Sequence, residues 1–350
     1  MSTVVAKAPA RISLAGGGTD LPAFYERHGG AVVSLTIDAY ATAHAARRAA
    51  DLELVSADTG ARELIPTPQF SRRMRPPILA EEFLLYQKAV AWHFGIERGT
   101  LSLSSAIPAG AGLGSSGAVC VALVRAAAEF VGEELDRSAV AETAFRIEAH
   151  VLRRGCGKQD QYASAFGGLN LIEFFRDGSV DVTPLDVDAQ ARATLQRRLM
   201  VFSNGSRRSA VLPLQEQARR SESDPDTVLA LARLKDMAYE TREALERGNA
   251  DAVGQIMDEA WKAKQHLNST VASPEILRSY SVARAAGAVG GKLAGAGLGG
   301  TLVLYCHEDG HDDVRRALAA EGWRQRAVAM EQDGAVLCAD DGAGNDIIGG

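Results

Sequence analysis

The sequence has no long apolar run, no surplus of positive charge and few cysteines, and each shortage removes a class of protein. No stretch of about eighteen apolar residues is present, and no charged-then-apolar segment stands at the N-terminus, so neither a membrane span nor a secretory leader is expected. The formal net charge is −6, and no window gathers the lysines and arginines that nucleic acid or anionic lipid would attract. These shortages predict a small-molecule ligand, no nucleic-acid or membrane partner, and a cytoplasmic address. Cys120, Cys156, Cys306 and Cys338 stand far apart without a C-x-x-C pair, the pattern of reduced, buried thiols rather than disulfides or zinc ligands. What remains is an ordinary globular composition, 46% hydrophobic and 23% charged, in a chain of 350 residues that is long enough for two packed domains.

Glycine is clustered, and the densest cluster is P-A-G-A-G-L-G-S-S-G from Pro108 to Gly117. Before it, Leu101, Leu103, Ser105 and Ile107 alternate as a half-buried strand would; after it, Ser115 to Val131 reads as a helix rich in Ala and Val. Gly110, Gly112 and Gly114 let consecutive backbone N–H groups face outward, and the helix N-terminus adds its unpaired amides and positive dipole end. Such a loop suits an anion, here a nucleotide triphosphate. A Walker A loop is excluded, because no lysine follows the glycines. Gly112, Gly114 and Gly117 spell G-x-G-x-x-G, yet the next segment, Ser138 to Arg153, is helical in pattern where a dinucleotide fold needs a strand. On glycine alone a ligand-free turn is an equal reading; Ser115 and Ser116, whose hydroxyls can meet phosphate or magnesium, weigh against it.

Around this centre the pattern gives a strand from Val4 to Leu14, stopped by Gly16, Gly17 and Gly18. Asp20 behind them suits either sugar hydroxyls or the N-cap of a helix opening at Leu21 and Pro22. Two apolar runs between Ala31 and Leu54 read as antiparallel strands, residues 61 to 77 as a surface excursion, and Glu81 to His93 as a helix. Glu148 lies at the edge of an apolar helical stripe, where a solvated boundary glutamate is the default. Asp160 stands among Gly155, Gly157, Gly167 and Gly168 with little helical periodicity, as a turn former or a site residue. Leu169 to Phe174 reads as a strand, Thr183 to Leu199 as a crossover, and Leu199 to Ser203 as a strand. Arg207 and Arg208 are a solvated face by default. Residues 226 to 248, 250 to 267 and 276 to 286 read as helices, and Thr301 to Cys306 as a strand. His307-Glu308-Asp309-Gly310-His311 matches H-E-x-x-H, but Asp309-Gly310 is a turn dipeptide directly after a strand, so a helical zinc site is not expected. A strand-rich first half with helices on one side gives an α+β sandwich.

The central segment resembles the second signature of the GHMP kinases, the superfamily named for galactokinase, homoserine kinase, mevalonate kinase and phosphomevalonate kinase. K-A-P-A-R-I-S-L-A-G-G-G-T-D (Lys7 to Asp20) resembles the first signature and G-G-K-L-A-G-A-G-L-G-G (Gly290 to Gly300) the third, in the expected order. Within the superfamily, A-G-G-G-T-D and G-K-Q-D-Q-Y-A-S-A-F-G-G-L-N (Gly157 to Asn170) are most similar to the heptose 7-phosphate kinases. Leu298 stands where many relatives have glycine.

The resemblance implies a two-domain α+β fold. Residues 1–185 would be an ATP-binding sandwich with a mostly antiparallel sheet, 186–340 a ferredoxin-like domain, and 341–350 a tail. It implies ATP and Mg2+ as cofactors, a sugar phosphate as substrate, and a possible homodimer. By resemblance Asp160 is the catalytic base and Arg11 the basic residue that pairs with it and offsets charge at the transferred phosphoryl. Pro108, Gly110, Ala111, Gly112, Leu113, Gly114, Ser115, Ser116 and Gly117 would hold the nucleotide, with Ser116 and Glu148 on the metal. Gly17, Gly18, Thr19, Asp20, Gln159, Arg207, Gly295 and Gly297 would meet the sugar phosphate, Gly295 to Gly299 also supporting the nucleotide loop. Two alternatives stay open: a kinase for fucose or another hexose, and a sugar sensor that has lost turnover.

Overall fold

The computed structural model describes residues 3–67, 84–206, 211–267, 272–295 and 300–339. The first half of the chain forms β1 (Val4–Ala15), α1 (Pro22–His28), β2 (Gly30–Ala46), β3 (Leu52–Ser56), β4 (Arg62–Ile65), α2 (Leu85–Phe94), β5 (Gly99–Ser105), α3 (Ser115–Val131) and α4 (Arg137–Arg146). A π-helical turn, Ile147–Val151, ends α4 and is followed by α5 (Gln159–Phe166), β6 (Leu169–Phe174) and β7 (Val180–Pro184). The second half forms α6 (Ala189–Arg198), β8 (Leu199–Ser203), α7 (Val211–Ser223), α8 (Pro225–Glu246), α9 (Ala250–Leu267), α10 (Pro274–Ala285), β9 (Ala288–Leu293) and β10 (Thr301–Cys306). It closes with a short 3-10 turn, α11 (His311–Ala320), β11 (Arg324–Arg326), β12 (Met330–Glu331) and β13 (Val336–Cys338).

The larger sheet runs β13-β1-β2-β5-β3-β4, with β6 and β12 also on the long β2 and β7 outside β6. Its pairs are antiparallel except β3 with β5. β1 lies between the short β13 and the long β2, and along it Ala6, Ala8, Ala10, Ile12 and Leu14 are all but fully buried. Three alanines in a row on that face leave room for α3, itself rich in Ala and Val, to pack close. The opposite face of β1 carries Arg11 and Ser13 toward the cavity described below. The two apolar runs read as separate strands are one 17-residue strand, β2. Its register against β1 jumps between Pro9↔Tyr40 and Ala10↔Ile37. Pro9 has no N–H for the ladder, and a bulge at Asp38 and Ala39 absorbs the gap.

The smaller sheet has the order β11-β8-β10-β9, all antiparallel. With α7 to α10 between β8 and β9, and α11 between β10 and β11, this is the β-α-β-β-α-β order of a ferredoxin-like unit. Met200, Phe202, Trp261, Ile276, Leu302 and Leu304 fill its own core. Sequence pattern omits β9, because Gly290 and Gly291 read as loop; α7 and β7 are likewise absent from it. The chain does not end in the smaller unit. β12 pairs with β2 and β13 with β1, so residues beyond the ferredoxin-like unit complete the first sheet, which a simple boundary at 185/186 does not provide. Among the described residues no helix is long and apolar enough to cross a membrane.

Candidate active site

Arg11 is the hinge of the site. From β1 its Nε and Nη2 both reach Asp160 Oδ1, at 2.8 and 2.6 Å, and its Nη1 donates to the Gly112 carbonyl at 2.7 Å. Its backbone N–H donates to Leu113 O at 3.0 Å. One residue therefore fixes the central loop and the carboxylate to the same strand. Asp160 lies in the first turn of α5 rather than in an irregular segment, and its side chain keeps 26% of its surface exposed, toward the cavity. Gly117, in the first turn of α3, lets the two helix starts meet: a Cβ there would lie 2.6 Å from the Asp160 Cβ. The N-terminal turns of α3 and α5, each with its unpaired amides and positive dipole end, are thus in contact beside the cavity.

The central loop divides by role. Gly110, Gly112, Gly114, Ser115 and Ser116 line the cavity, together with Ala109. Ala111 and Leu113 are buried and anchor the loop from beneath, while Pro108 and Gly117 do not reach the cavity wall. Gly112 has φ +80°, and any side chain on it would strike the Ala294 carbonyl, so the central and third glycine segments pack backbone to backbone. Gly295 lines the cavity; Gly297, Arg207 and Arg208 lie outside the described residues.

Glu148 sits on the π-helical turn and is 1% exposed. The extra residue of that turn moves the boundary glutamate inward, a distortion that recurs at functional sites. Tyr86 Oη donates to Oε1 at 2.9 Å and Gln161 Nε2 to Oε2 at 2.6 Å, with the Ser116 hydroxyl a further donor. Burial raises its carboxyl above the ordinary range and the nearby Asp160 raises it further, against these neutral donors. A divalent cation would offset both. Magnesium needs few protein ligands, keeping its other positions for water and phosphate oxygens. Among the described residues no three His, Cys, Asp or Glu form a closed cage. Ser116 and Glu148 fit such an open site.

On the acceptor side, Gly17, Gly18, Asp20 and Gln159 line the cavity and Thr19 does not. The Thr19 hydroxyl shares its one proton between Gly16 O and Ala31 O and accepts from Ala31 N, so it pins the glycine turn to β2, and it is fully buried away from the cavity. Asp20 does not cap α1, whose N-cap is Leu21. Its carboxylate accepts from Gly18 N at 3.1 Å and Gln159 N at 3.2 Å, tying the turn to the head of α5. Burial and Asp160 raise its pKa.

The cavity is about 440 Å3 and has cationic residues that sequence reasoning passed over. Lys264 on α9 donates to Gly295 O, and burial with Arg11 nearby pushes its ammonium down to about 8. Lys292 on β9 is pushed lower still by burial, Lys264 and Arg11. Ser13, Arg154, Cys156, Gln161 and Gln217 also line the wall. Strand alternation from Arg11 gives a signal for Ser13, and the third glycine segment contains Lys292; Lys264, in mid-helix, has no such signal. The H-E-x-x-H match is split as its turn dipeptide requires: Glu308–Gly310 is a 3-10 turn and His311 opens α11.

Residues 81–168 match the GHMP kinases N terminal domain, and residues 241–324 the GHMP kinases C terminal domain. The chain is 29% identical over 327 residues to the D-glycero-alpha-D-manno-heptose 7-phosphate kinase of Campylobacter jejuni, covering 92% of this chain and 94% of that one. It is 26% identical over 338 residues to the L-fucokinase/L-fucose-1-P guanylyltransferase of Bacteroides fragilis, covering 86% of this chain and about a third, 34%, of that longer protein. The crystal structure of a D-glycero-D-manno-heptose 1-phosphate kinase from Bacteriodes thetaiotaomicron superposes with a TM-score of 0.77 at 25% identity, over 96% of this chain and 98% of that one.

Proposed function

The chain belongs to the GHMP kinases, and from that premise we propose that it transfers the γ-phosphoryl group of ATP to the anomeric hydroxyl of a heptose 7-phosphate. The product would be the 1,7-bisphosphate, a step toward nucleotide-activated heptose. One observation carries the reading: the Arg11–Asp160 pair stands at the foot of a glycine loop, in a cavity that also presents Gly17, Gly18 and Asp20. The names of the two heptose-kinase relatives agree on a heptose phosphate and differ on the position of the phosphate.

Phosphoryl transfer asks a protein for positioning and charge neutralisation more than for covalent chemistry. The amides of the central loop and the start of α3 bind the triphosphate. Both Arg11 donors are on Asp160 Oδ1, so Oδ2 is the oxygen left for the acceptor hydroxyl, which it orients and whose proton it accepts. The Arg11 guanidinium, locked between Asp160 and Gly112 O, places fixed positive charge beside the transferred group. Ser116 and Glu148 would hold magnesium, which when bound neutralises phosphate charge. The close packing of Gly112 on Ala294 holds the loop against the third glycine segment.

A coupled ATPase assay with Mg-ATP, run over sugars and sugar phosphates, tests the proposal. Turnover should be greatest with a heptose 7-phosphate, and the new phosphorus NMR signal of the product should couple to the anomeric proton. Coupling to another ring proton would defeat the C1 assignment. Preference for unphosphorylated fucose would favour a second reading, to which the likeness to the fucokinase points. No turnover with any sugar would leave the sensor reading standing.

A further inference from the structure

Beside the Arg11–Asp160 pair the cavity holds a second group of polar side chains that the reaction as described does not use. A Cβ built on Gly17 would lie 3.1 Å from Ser13 Oγ, 3.9 Å from Lys292 Nζ and 3.9 Å from Gln159 Oε1. Groups from β1, β9 and the head of α5 therefore converge over one bare glycine. Ser13 is 9% exposed, Gln159 4% and Lys292 6%. Ser13 Oγ and Gln159 Nε2 are both buried without a hydrogen-bond partner. Buried polar groups in folded proteins are nearly always satisfied, so two orphans in one wall call for a ligand. A half-turn of the Gln159 amide brings Nε2 to the position of Oε1, giving three donors facing one point.

The charge around this point has one sign to spare. The cavity wall carries Arg11, Arg154, Lys264 and Lys292 against Asp20, Glu148 and Asp160, and Arg11 is matched by Asp160. Lys264 has turned to the Gly295 carbonyl, and Lys292 is held down by burial, by Lys264 and by Arg11. An anion between the donors would restore the Lys292 charge and satisfy both orphans. The placement along β1 says which anion. Ser13 follows Arg11 by two residues on the same face, about 7 Å along the strand. Gln159 directly precedes Asp160 on α5, and Ser13, Gln159, Asp160 and Lys292 all line one cavity, so one acceptor can meet the reacting carboxylate and this group together.

We propose that Ser13, Gln159 and Lys292 form an anion subsite over Gly17 that holds the phosphate the acceptor already carries. The assignment rests on the heptose 7-phosphate reading above, and adds to it the residues that distinguish a phosphorylated acceptor from a free sugar.

The test uses the full-length protein with Lys292→Met, which keeps the apolar stem, and Ser13→Ala as a milder second variant. Inorganic phosphate is titrated calorimetrically into each protein with the nucleotide loop filled by AMP-PNP and Mg2+, so that no turnover is needed. Steady-state constants are then compared for heptose 7-phosphate, the unphosphorylated heptose and ATP. Lys292→Met should weaken phosphate binding and raise KM for the 7-phosphate roughly ten- to a hundredfold, as loss of a charged hydrogen bond does, with the free heptose and ATP nearly unaffected. Lys292→Arg should recover part of the loss. Equal effects on phosphorylated and free heptose would overturn the subsite, as would wild-type protein that binds no phosphate beside AMP-PNP. A rise confined to ATP would overturn it too, moving Lys292 to the transferred phosphoryl. Wild-type protein that turns over no heptose phosphate would sink the acceptor reading alone, because the phosphate titration still decides the subsite.

Discussion

At the scale of single residues, the site sets two carboxylates in opposite circumstances. Asp160 is partly exposed and paired with Arg11, whereas Glu148 is buried among neutral donors. Asp160→Asn keeps an oxygen for Arg11 and removes the proton acceptor. The expected result is a kcat lower by roughly 10²- to 10⁴-fold with ADP affinity unchanged; a kcat within a few-fold of wild type would remove Asp160 from the role of base. Glu148→Gln should separate stability from function. Its carboxyl is raised from the usual 4.5, so the folded state prefers the proton more than the unfolded state does. That preference stabilises the fold below about pH 4.5 and is lost as pH rises through the raised value. Glutamine keeps the neutral state at every pH, and Gln161, whose Oε1 is buried without a partner, can flip to accept from it. Above the raised value the variant should therefore melt higher, by roughly 1–3 °C, the gap closing toward pH 4.5, while Mg2+-dependent turnover falls. A lower midpoint at neutral pH would show that the ionised carboxylate stabilises the fold. Arg11 and Asp160 were legible because each lies in a motif. Lys264 was not, because nothing in a helical pattern separates a lysine that points inward from one in water, and Thr19 was misread because a hydroxyl behind glycines serves a turn as well as a ligand.

At the scale of elements, strong periodicity was read closely and short or distorted pieces were not. The central helix was bounded at Ser115 and Val131 from pattern alone, since glycines stand at both its caps. The π-turn under Glu148 and the helix start under Asp160 were invisible, because the glycines beside Asp160 argue for a loop while tertiary packing of α5 on α3 decides otherwise. That packing reverses the sign of a familiar substitution. Gly→Ala inside a helix ordinarily stabilises by about 1 kcal/mol. At Gly117 the added methyl would sit 2.6 Å from the Asp160 Cβ and 2.9 Å from the Asp160 carbonyl carbon, so α5 must move and the carboxylate with it. Gly117→Ala is expected to lose about 1–3 kcal/mol by denaturant unfolding, as overpacking does, and to lower kcat more than KM for ATP. An alanine variant that is more stable and fully active would mean that the two helix starts do not meet this closely.

At the scale of the whole molecule, the α+β class and the ferredoxin-like second unit follow from the order of strands and helices, but the closure of the chain does not. β12 and β13 are two and three residues long, too short to show alternation, and their place is set by partners some 300 residues earlier in sequence, Glu331 pairing with Thr36 and Val336 with Lys7. Their attachment is nevertheless extensive. Thr36 Oγ1 donates to Glu331 O at 2.8 Å, Asp38 N to Ala329 O at 3.0 Å and Ala335 N to Ala165 O at 3.2 Å. Tyr40 Oη donates to the Glu331 carboxylate, and Gly334 packs against the backbone of Ala165 and Phe166 at the end of α5. The strand that carries Arg11 and the helix that carries Asp160 are thus both held from outside by residues 329–338. A chain ended at Ala327 keeps every cavity-lining residue, yet should melt several degrees lower and lose most of its turnover, since ladder bonds at about 1 kcal/mol each are removed from both elements. Adding the peptide 328–339 in excess should restore part of both. If the shortened chain kept the midpoint and kcat of the full chain, the geometry at Asp160 would be held by the local helix packing alone, and the return of the chain to the first sheet would have no part in the site.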